Sequence, residues 1–263
     1  MKKATHKSSA PVLNNRTLEK DYATVIPLLR EGLRVLDVGC GTGAISKGIA
    51  EKIGATGQVI GIDRSRQLIE AGKALFEFPD NLELIITGLF DYEPKEKFDL
   101  IVTARVLQWL DNPQAALAKI KTWLKPNGKI SILDYNHEAL AWTPAPPKSM
   151  QIFYKGFLDW RSSLGLNNAI AEDLPDYFEK VGLQNIEIIS ANEVYNKGEE
   201  NFLHKASIWI EVAKNVGDKM VAGGFVTEEL RLTAMKEHQQ WIETEAAQMV
   251  MKLNDVSGVL SSN

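Results

Sequence analysis

The sequence predicts an α/β fold built on a doubly wound parallel sheet. From Leu33 onward, short β-branched runs alternate with helical stretches, which is typical of successive βαβ units. Each run is brief and apolar along its whole length, as expected for strands that are buried on both faces. Turn residues at 125–128 separate the last of these helices from the next strand.

The predicted elements follow this alternation. Strands are expected at residues 34–38, 58–62, 82–86, 98–103 and 129–134, and helices between them at residues 44–53, 66–76 and 113–124. A helix at about residues 14–30, ending near Gly32, is expected to cover part of this core, which spans about residues 33–135.

The alternation stops after Asp134. A proline-rich segment and an aromatic helical stretch predict an inserted helical lid at about residues 138–168. The remainder, about residues 169–263, is predicted as a helix at 169–181, a strand at 186–190, helical stretches at 201–216 and 227–247, and a weaker strand at 248–253. Because α/β folds fill this length as one unit, residues 1–263 are expected to form a single domain.

Composition narrows the class of function. A formal net charge of -4 provides no basic surface for a phosphate backbone, so we expect no nucleic-acid partner. No stretch reaches the roughly 18 apolar residues of a membrane span, and the start of the chain leads into polar residues, so we expect a cytoplasmic protein without a membrane partner. With one cysteine, Cys40, and four scattered histidines, we expect no metal site.

The densest functional signal is the string LDVGCGTG at residues 36–43, where the first strand ends and the next helix begins. Glycines let backbone amides approach a ligand closely, and a helix N-terminus adds donors and a positive dipole end. The spacing alone does not name the ligand, because Gly39, Gly41 and Ala44 also fit the dinucleotide fingerprint.

Asp37 favours one ligand over the other. In a nicotinamide enzyme this turn holds a pyrophosphate, and the Asp37 carboxylate would place negative charge close to it. S-adenosylmethionine has a cationic amino acid end, which the same carboxylate would stabilise. Asp63, at the end of the second strand, has the position of a carboxylate that accepts ribose hydroxyls, and this fits either cofactor.

On these residues the chain resembles class I S-adenosylmethionine-dependent methyltransferases, in the broad group that includes ubiquinone-biosynthesis and trans-aconitate methyltransferases. The resemblance extends over about residues 33–135 and includes FDLIV at 98–102, LQW at 107–109 and LKPNG at 124–128. It implies a Rossmann-like seven-stranded sheet, mostly parallel, whose antiparallel last strand would be residues 248–253. It also implies S-adenosyl-L-methionine as the cofactor, with S-adenosyl-L-homocysteine as the product.

The resemblance also implies cofactor-binding residues. Adenine would lie between the loops after strands two, three and four, with Asp63 on the ribose and Arg64 beside adenine. The other positions carried over are Gly39, Gly41, Gly43, Asp37 and Thr103. Many members have an acid directly after the glycine that ends strand three, whereas Leu89 and Phe90 follow Gly88 here and become the candidate cofactor-binding residues. Adenine would then rely on backbone contacts and packing unless Asp91 substitutes.

Candidate acceptor residues follow strands four and five and lie in the lid. Arg105 and Gln108 come after strand four, where ligands bind in open α/β sheets, and Arg105 would pair with a carboxylate. His137 follows strand five as a candidate general base, and Tyr154, Trp160 and Arg161 are candidates for closing over the acceptor. Purely structural roles remain open for all of them, because solvated arginines, hydrogen-bonded loop histidines and aromatic residues in a helical core are common.

The predicted function is therefore methyl transfer from S-adenosylmethionine to a small molecule, with a carboxylate as the first acceptor group to consider. Two alternatives stay open: an NAD(P)-dependent oxidoreductase, and a protein that binds S-adenosylmethionine without turnover. Methylation of protein or nucleic acid is disfavoured by the acidic charge balance.

Overall fold

The computed structural model describes residues 14–261. Within this range the residues fall into two compact units. The sheet unit comprises 14–134, 170–191 and 254–261, and the helical unit comprises 135–169 and 192–253. Strands β5 and β8 contribute residues to both units. The boundaries expected for the lid and for a single domain stay predictions.

The described strands form one mixed sheet of eight. They are β1 (Arg34–Val38), β2 (Gln58–Asp63), β3 (Leu82–Ile86), β4 (Phe98–Ala104), β5 (Leu124–Thr143), β6 (Gln184–Ser190), β7 (Glu193–Asn196) and β8 (Gln248–Val259). The order is β3-β2-β1-β4-β5-β8-β6, and β7 pairs with β8. Strands β1 to β5 pair in parallel, whereas β8 is antiparallel to β6 and β7. The predicted fold class is confirmed, with an eighth strand, β7, that the sequence did not indicate.

The described helices lie near their predicted positions, but the stretch predicted at residues 201–216 is two helices, and the helix predicted at 113–124 ends at Lys121. They are α1 (Leu18–Asp21), α2 (Ala44–Ile53), α3 (Arg66–Leu75), α4 (Pro113–Lys121), α5 (Lys148–Ser163), α6 (Ile170–Lys180), α7 (Phe202–Ala206), α8 (Ile208–Ala222) and α9 (Glu228–Thr244). Two helix starts are capped as their sequences predict: the Ser65 hydroxyl accepts the amide of Leu68, and the Asn112 side chain accepts the amide of Ala115. Pro113 is the first residue of α4, where a backbone amide would have no partner within the helix. Proline, which has no amide hydrogen, is therefore well tolerated there.

The long N-terminal helix predicted at residues 14–30 is wrong. The chain instead forms the single turn α1 and a 3-10 helix at Ala23–Leu28. Between them Tyr22 leaves helical geometry, with φ -152° and ψ 43°, and Pro27 has no amide to continue an α-helical ladder. Tyr22 leaves the helix because it is buried: its hydroxyl lies 2.8 Å from the Ser131 hydroxyl.

The prediction that β5 ends at Asp134 is also wrong. Polar residues after Asp134 suggested a loop, but the chain stays extended to Thr143, where the amide of Ala247 donates to the Thr143 carbonyl. The predicted turn at 125–128 is part of the same strand, as a bulge between the Phe98–Leu124 and Leu100–Lys129 pairs. Asn127 has φ 61° there, a conformation that asparagine tolerates.

Each unit has its own apolar core. In the sheet unit, residues of β1, β2, β4 and β5 pack with Leu117, Leu174 and Phe178 of the covering helices. In the helical unit, α5 packs on α9, and Phe202, Ile210 and Trp241 form the centre of a second cluster. No helix within 14–261 combines the length and the apolar character that a membrane crossing requires.

Candidate active site

The glycine-rich turn connects β1 to α2. Gly39, Gly41 and Gly43 have φ values of 76°, 59° and 79°, which lie in the left-handed region that favours glycine. A Cβ atom on Gly39 would also lie 2.4 Å from Cγ2 of Val106. The conformation and the packing of this turn therefore both require glycine.

Backbone hydrogen bonds tie the turn to the end of β2. The amides of Gly39 and Cys40 donate to the Ile62 carbonyl at 2.7 and 3.1 Å. The amide of Gly41 donates to Oδ2 of Asp63 at 2.9 Å. Because these three amides are already engaged, these residues would contact a ligand through their carbonyl oxygens and Cα atoms. The contacts of Gly39, Gly41 and Gly43 with the cofactor stay predictions.

Asp63 occupies the end of β2, as the sequence predicted. Its Oδ1 accepts the amide of Ser65 at 2.8 Å, and its Oδ2 accepts the amide of Gly41. A carboxylate oxygen has two acceptor positions, so each oxygen retains one for a further donor. Asp63 is half-buried, which leaves its carboxylate accessible to a ligand.

Asp37 is a buried acid next to this carboxylate. Its side chain is 5% exposed, and its Oδ2 accepts the hydroxyl of Ser46 in α2 at 2.5 Å. Burial raises the pKa of Asp37 to about 6, the Ser46 hydrogen bond opposes this shift, and the nearby Asp63 charge adds to it. Two close carboxylates would repel a pyrophosphate and stabilise a cation.

Two buried threonines add unused polar atoms. The hydroxyl oxygens of Thr42, in the turn, and of Thr103, in β4, make no hydrogen bond with any described residue. Buried polar groups without partners are uncommon, because each costs free energy unless a ligand or water satisfies it. The acidic side chains at this turn and the unpaired Thr42 hydroxyl fit a cofactor that has an ammonium group, a ribose and a sulfonium.

Gly72 supports the turn from α3 and was not singled out from the sequence. A Cβ atom at this position would lie 1.9 Å from the carbonyl oxygen of Thr42, so the helix contacts the backbone of the turn directly. The available signal was a glycine in the interior of a predicted helix, where it usually reflects close packing. Ser46, the partner of Asp37, was missed because serine in a helix gives no comparable signal.

The segment after β3 lacks the acidic residue that the resemblance leads one to expect directly after Gly88. Leu89 packs against the sheet core and Phe90 is 54% exposed. The Asp91 carboxylate lies over Gly88, because a Cβ atom on Gly88 would be 2.7 Å from Oδ2 of Asp91. Asp91 therefore lies beside Gly88, and its role as a substitute for the missing acid stays a prediction. Arg64 is exposed directly after β2.

Arg105 and Gln108 lie together just beyond β4. Arg105 is only 7% exposed and has φ 61°, an unusual value for a side chain of its size. Its amide donates to the Leu133 carbonyl at 2.7 Å, and its own carbonyl accepts the Gln108 side chain. The amide of Gln108 donates to the buried Asp134. Strained, buried polar residues of this kind cluster at ligand sites.

The remaining candidates belong to the helical unit. His137 is 6% exposed, and its ring packs edge-to-face on Phe157 and Trp209. Burial, with a further contribution from Arg161, holds the pKa of His137 well below its usual value, so the ring is neutral at neutral pH. The Tyr154 hydroxyl donates to the His137 carbonyl at 2.5 Å. The role of His137 as a base stays a prediction.

Trp160 and Arg161 are both buried in α5. Trp160 packs on Phe157, and the Arg161 guanidinium lies 5.6 Å from the centre of the Phe157 ring. Arg161 also donates to Oδ1 of Asn168 at 2.7 Å. These contacts give both residues structural roles, and their contact with an acceptor stays a prediction.

The fold and the site together define a class. A doubly wound sheet, a glycine-rich turn at the end of β1 and paired carboxylates beside it are typical of an α/β protein that binds a cationic nucleoside cofactor.

Comparisons with known proteins identify the family. A family model described as a methyltransferase domain matches residues 29–168. The chain is 31% identical over 157 residues to a ubiquinone/menaquinone biosynthesis C-methyltransferase UbiE of Cupriavidus taiwanensis, a match that covers 57% of this chain and 58% of the relative. It is 33% identical over 98 residues to a malonyl-[acyl-carrier protein] O-methyltransferase of Halalkalibacterium halodurans, which covers 36% of each chain. The matches thus cover less than two thirds of each relative's own length, 58% of the first and 36% of the second.

Solved structures show the same fold. The YcgJ protein of Bacillus subtilis superposes with a TM-score of 0.58 at 15% identity, covering 92% of this chain and 98% of that one. A Haemonchus contortus phosphoethanolamine N-methyltransferase 2 superposes with a TM-score of 0.55 at 17% identity, covering 91% and 52%. The chain belongs to the methyltransferase domain family and has the fold of the class I S-adenosylmethionine-dependent methyltransferases.

Proposed function

We propose that this enzyme transfers the methyl group of S-adenosylmethionine to a small molecule whose carboxylate is bound by Arg105. The observation that carries the cofactor part is the pair of acids at the glycine-rich turn, the buried Asp37 and the amide-bound Asp63. The observation that carries the acceptor part is the buried, left-handed Arg105 directly after β4. The fold alone would not distinguish these ligands.

The residues at the turn divide the binding between them. Asp37 would hold the ammonium end of the cofactor, because a buried carboxylate stabilises a cation strongly. Asp63 would accept the ribose hydroxyls with the acceptor positions that its two amide bonds leave open. When bound, S-adenosylmethionine supplies a methyl group on a positively charged sulfur, which a nucleophile can attack directly.

Positioning accounts for much of the rate in such a reaction. Because the donor is already activated, holding the acceptor in a near-attack orientation contributes several kcal/mol, on the order of 7 to 11 in the most favourable model systems. Arg105 is suited to fixing an acceptor, since its backbone is anchored by Leu133 and Gln108 while its guanidinium belongs to a buried side chain. A guanidinium binds carboxylates in a defined bidentate geometry.

The cofactor site is tested with Asp63→Asn. This variant keeps one acceptor oxygen and replaces the other with an amide donor, so we expect affinity for S-adenosylmethionine and S-adenosylhomocysteine to fall about 30-fold, or about 2 kcal/mol. Titration calorimetry measures this, with Asp80→Asn, an exposed acid, as the matched control. Unchanged affinity in Asp63→Asn would show that Asp63 does not contact the ribose.

The acceptor class is tested with Arg105→Asn, because asparagine tolerates the left-handed conformation of residue 105. Transfer of radioactive methyl is measured for a panel of small carboxylic acids and for their uncharged amides. We expect the parent to methylate acids and not amides, and the variant to lose about 100-fold in kcat/KM on acids with unchanged cofactor affinity.

The control for this experiment is Arg66→Asn, which removes an arginine whose side chain is 70% exposed. It should leave transfer to every acid unchanged. Equal activity of Arg105→Asn and the parent on acids would overturn the carboxylate assignment, and methylation of amides by the parent would indicate a neutral acceptor.

A further inference from the structure

The helical unit contains a cavity that the cofactor site does not use. Its volume is about 310 Å³, at the lower end of the roughly 300–1,000 Å³ that small-molecule pockets occupy. Its apolar walls come from the end of β5, the segment that follows it and the first turns of α5, and include Leu140, Pro146 and Met150. Pro146 and Met150 are buried, so they form a fixed floor.

Two aromatic side chains complete the lining. Trp142 is held by edge-to-face contacts with His238 and Trp241, at ring-centre distances of 5.2 and 5.5 Å. Tyr154 is held by its hydroxyl, which donates to the His137 carbonyl, and by an edge-to-face contact with Trp209 at 4.6 Å. Both rings are therefore positioned before any ligand arrives, and rigid aromatic walls favour a flat partner.

Among residues 14–261, none with a charged side chain lines this cavity. Its polar lining residues are Tyr154 and Gln151, and Gln151 donates to the Pro146 carbonyl at 2.8 Å. Behind Trp142, burial lowers the pKa of His238, so this imidazole is neutral at neutral pH and adds no charge. A charged ligand would lose its hydration here without a compensating partner, which costs free energy. An uncharged aromatic ring would not incur this cost.

We propose that this cavity binds a flat, uncharged aromatic group. The carboxylate of an acceptor, which Arg105 is suited to bind, finds no partner among the residues that line the cavity. The inference does not depend on methyl transfer, because the described residues that line the cavity all belong to the helical unit.

The test uses three naphthalene probes that are similar in size and differ in charge. Each is titrated by calorimetry into the full chain without cofactor. The probes are 2-naphthol, which is neutral, 2-naphthoate, which is anionic, and 2-naphthylmethylamine, which is cationic. We expect 2-naphthol to bind at least 10-fold more tightly than either charged probe. Tighter binding of the amine would instead indicate a cation site on the two rings, and would overturn the proposal, as would tighter binding of the naphthoate.

Three variants locate the binding. Ala145→Phe places a ring into the cavity from an exposed lining position and should weaken 2-naphthol binding at least 10-fold. Ala141→Phe, an exposed alanine of β5 outside the lining, is the matched control and should change binding less than 2-fold. Leu140→Trp fills the cavity from the strand and should repeat the loss if Ala145→Phe is poorly folded.

The outcomes separate clearly. Loss in the filling variants alone supports the cavity as the binding site. No binding of 2-naphthol to the parent, or equal binding in Ala145→Phe and the parent, overturns the proposal. Failure of the Asp63 or Arg105 experiments would leave this result intact, because no probe titration contains cofactor or acceptor.

Discussion

Gly72→Ala should destabilise the protein and abolish measurable cofactor binding. Alanine normally stabilises a helix relative to glycine by about 1 kcal/mol, so the helix alone predicts the opposite sign. Here the new methyl group would lie 1.9 Å from the carbonyl oxygen of Thr42, and a backbone atom of the glycine-rich turn cannot move away at low cost. We expect a loss of about 3 kcal/mol or more, roughly 6–12 °C in Tm.

Gly217→Ala is the matched control for this experiment. It also adds a methyl group inside a helix, α8, but its nearest neighbour is a side-chain atom, Cδ of Arg231 at 2.3 Å, and not the backbone of the glycine-rich turn. Because Arg231 must shift from its ion pair with Glu228, this variant should also lose stability, but it should leave cofactor affinity unaltered. Thermal unfolding and calorimetry measure both effects. A Gly72→Ala protein as stable as the parent would show that α3 does not support the turn.

Asp37→Asn should raise stability and weaken cofactor binding at the same time. The carboxyl group is fully buried and its pKa is raised to about 6, so ionising it in the folded protein costs free energy. Relative to the ordinary value near 3.9, the shift corresponds to about 3 kcal/mol. The amide keeps an oxygen that accepts the Ser46 hydroxyl, and it removes the buried charge.

The pH dependence gives this prediction a definite sign. Between about pH 4 and pH 6 the folded parent binds more protons at Asp37 than the unfolded chain does, so this cost of ionisation grows as the pH rises and is complete above pH 6. Asp37→Asn should therefore unfold at a higher temperature than the parent at pH 8. Near pH 4 the difference should almost disappear.

Cofactor binding should respond in the opposite direction. Loss of the charge that holds the ammonium group should reduce affinity for S-adenosylmethionine several hundred-fold at pH 8, or about 3 kcal/mol or more. The parent should itself bind more weakly as the pH falls below about 6, whereas the variant should show no such dependence. An Asp37→Asn protein that is less stable than the parent and binds S-adenosylmethionine with the same affinity would contradict the assignment of Asp37.

The fold class and the cofactor turn followed from local sequence patterns. Strands β1 and β3 and helix α2 have the bounds that the sequence predicts, because apolar runs buried on both faces and turn residues between them are local signals. The glycine-rich turn was equally clear, since left-handed φ values at Gly39, Gly41 and Gly43 require a residue type that the sequence displays directly.

Other features depended on partners that are distant in the sequence. The extension of β5 beyond Asp134 and the strand β7 arise from pairing with residues near the end of the chain, and polar residues in an extended strand look like a loop until that pairing is known. The break at Tyr22 follows from its contact with Ser131, 109 positions away. The function of Gly72 likewise depends on the Thr42 carbonyl.

The sequence by itself therefore determined the α/β class, the position of the glycine-rich turn and Asp37, the acid that favours S-adenosylmethionine. Tertiary structure alone decided the raised pKa of Asp37, the buried, strained position of Arg105 and the apolar cavity behind Tyr154 and Trp142. The physical reason is range: backbone conformation and burial periodicity are encoded by neighbouring residues, whereas desolvation and packing depend on contacts between segments that only the folded chain brings together.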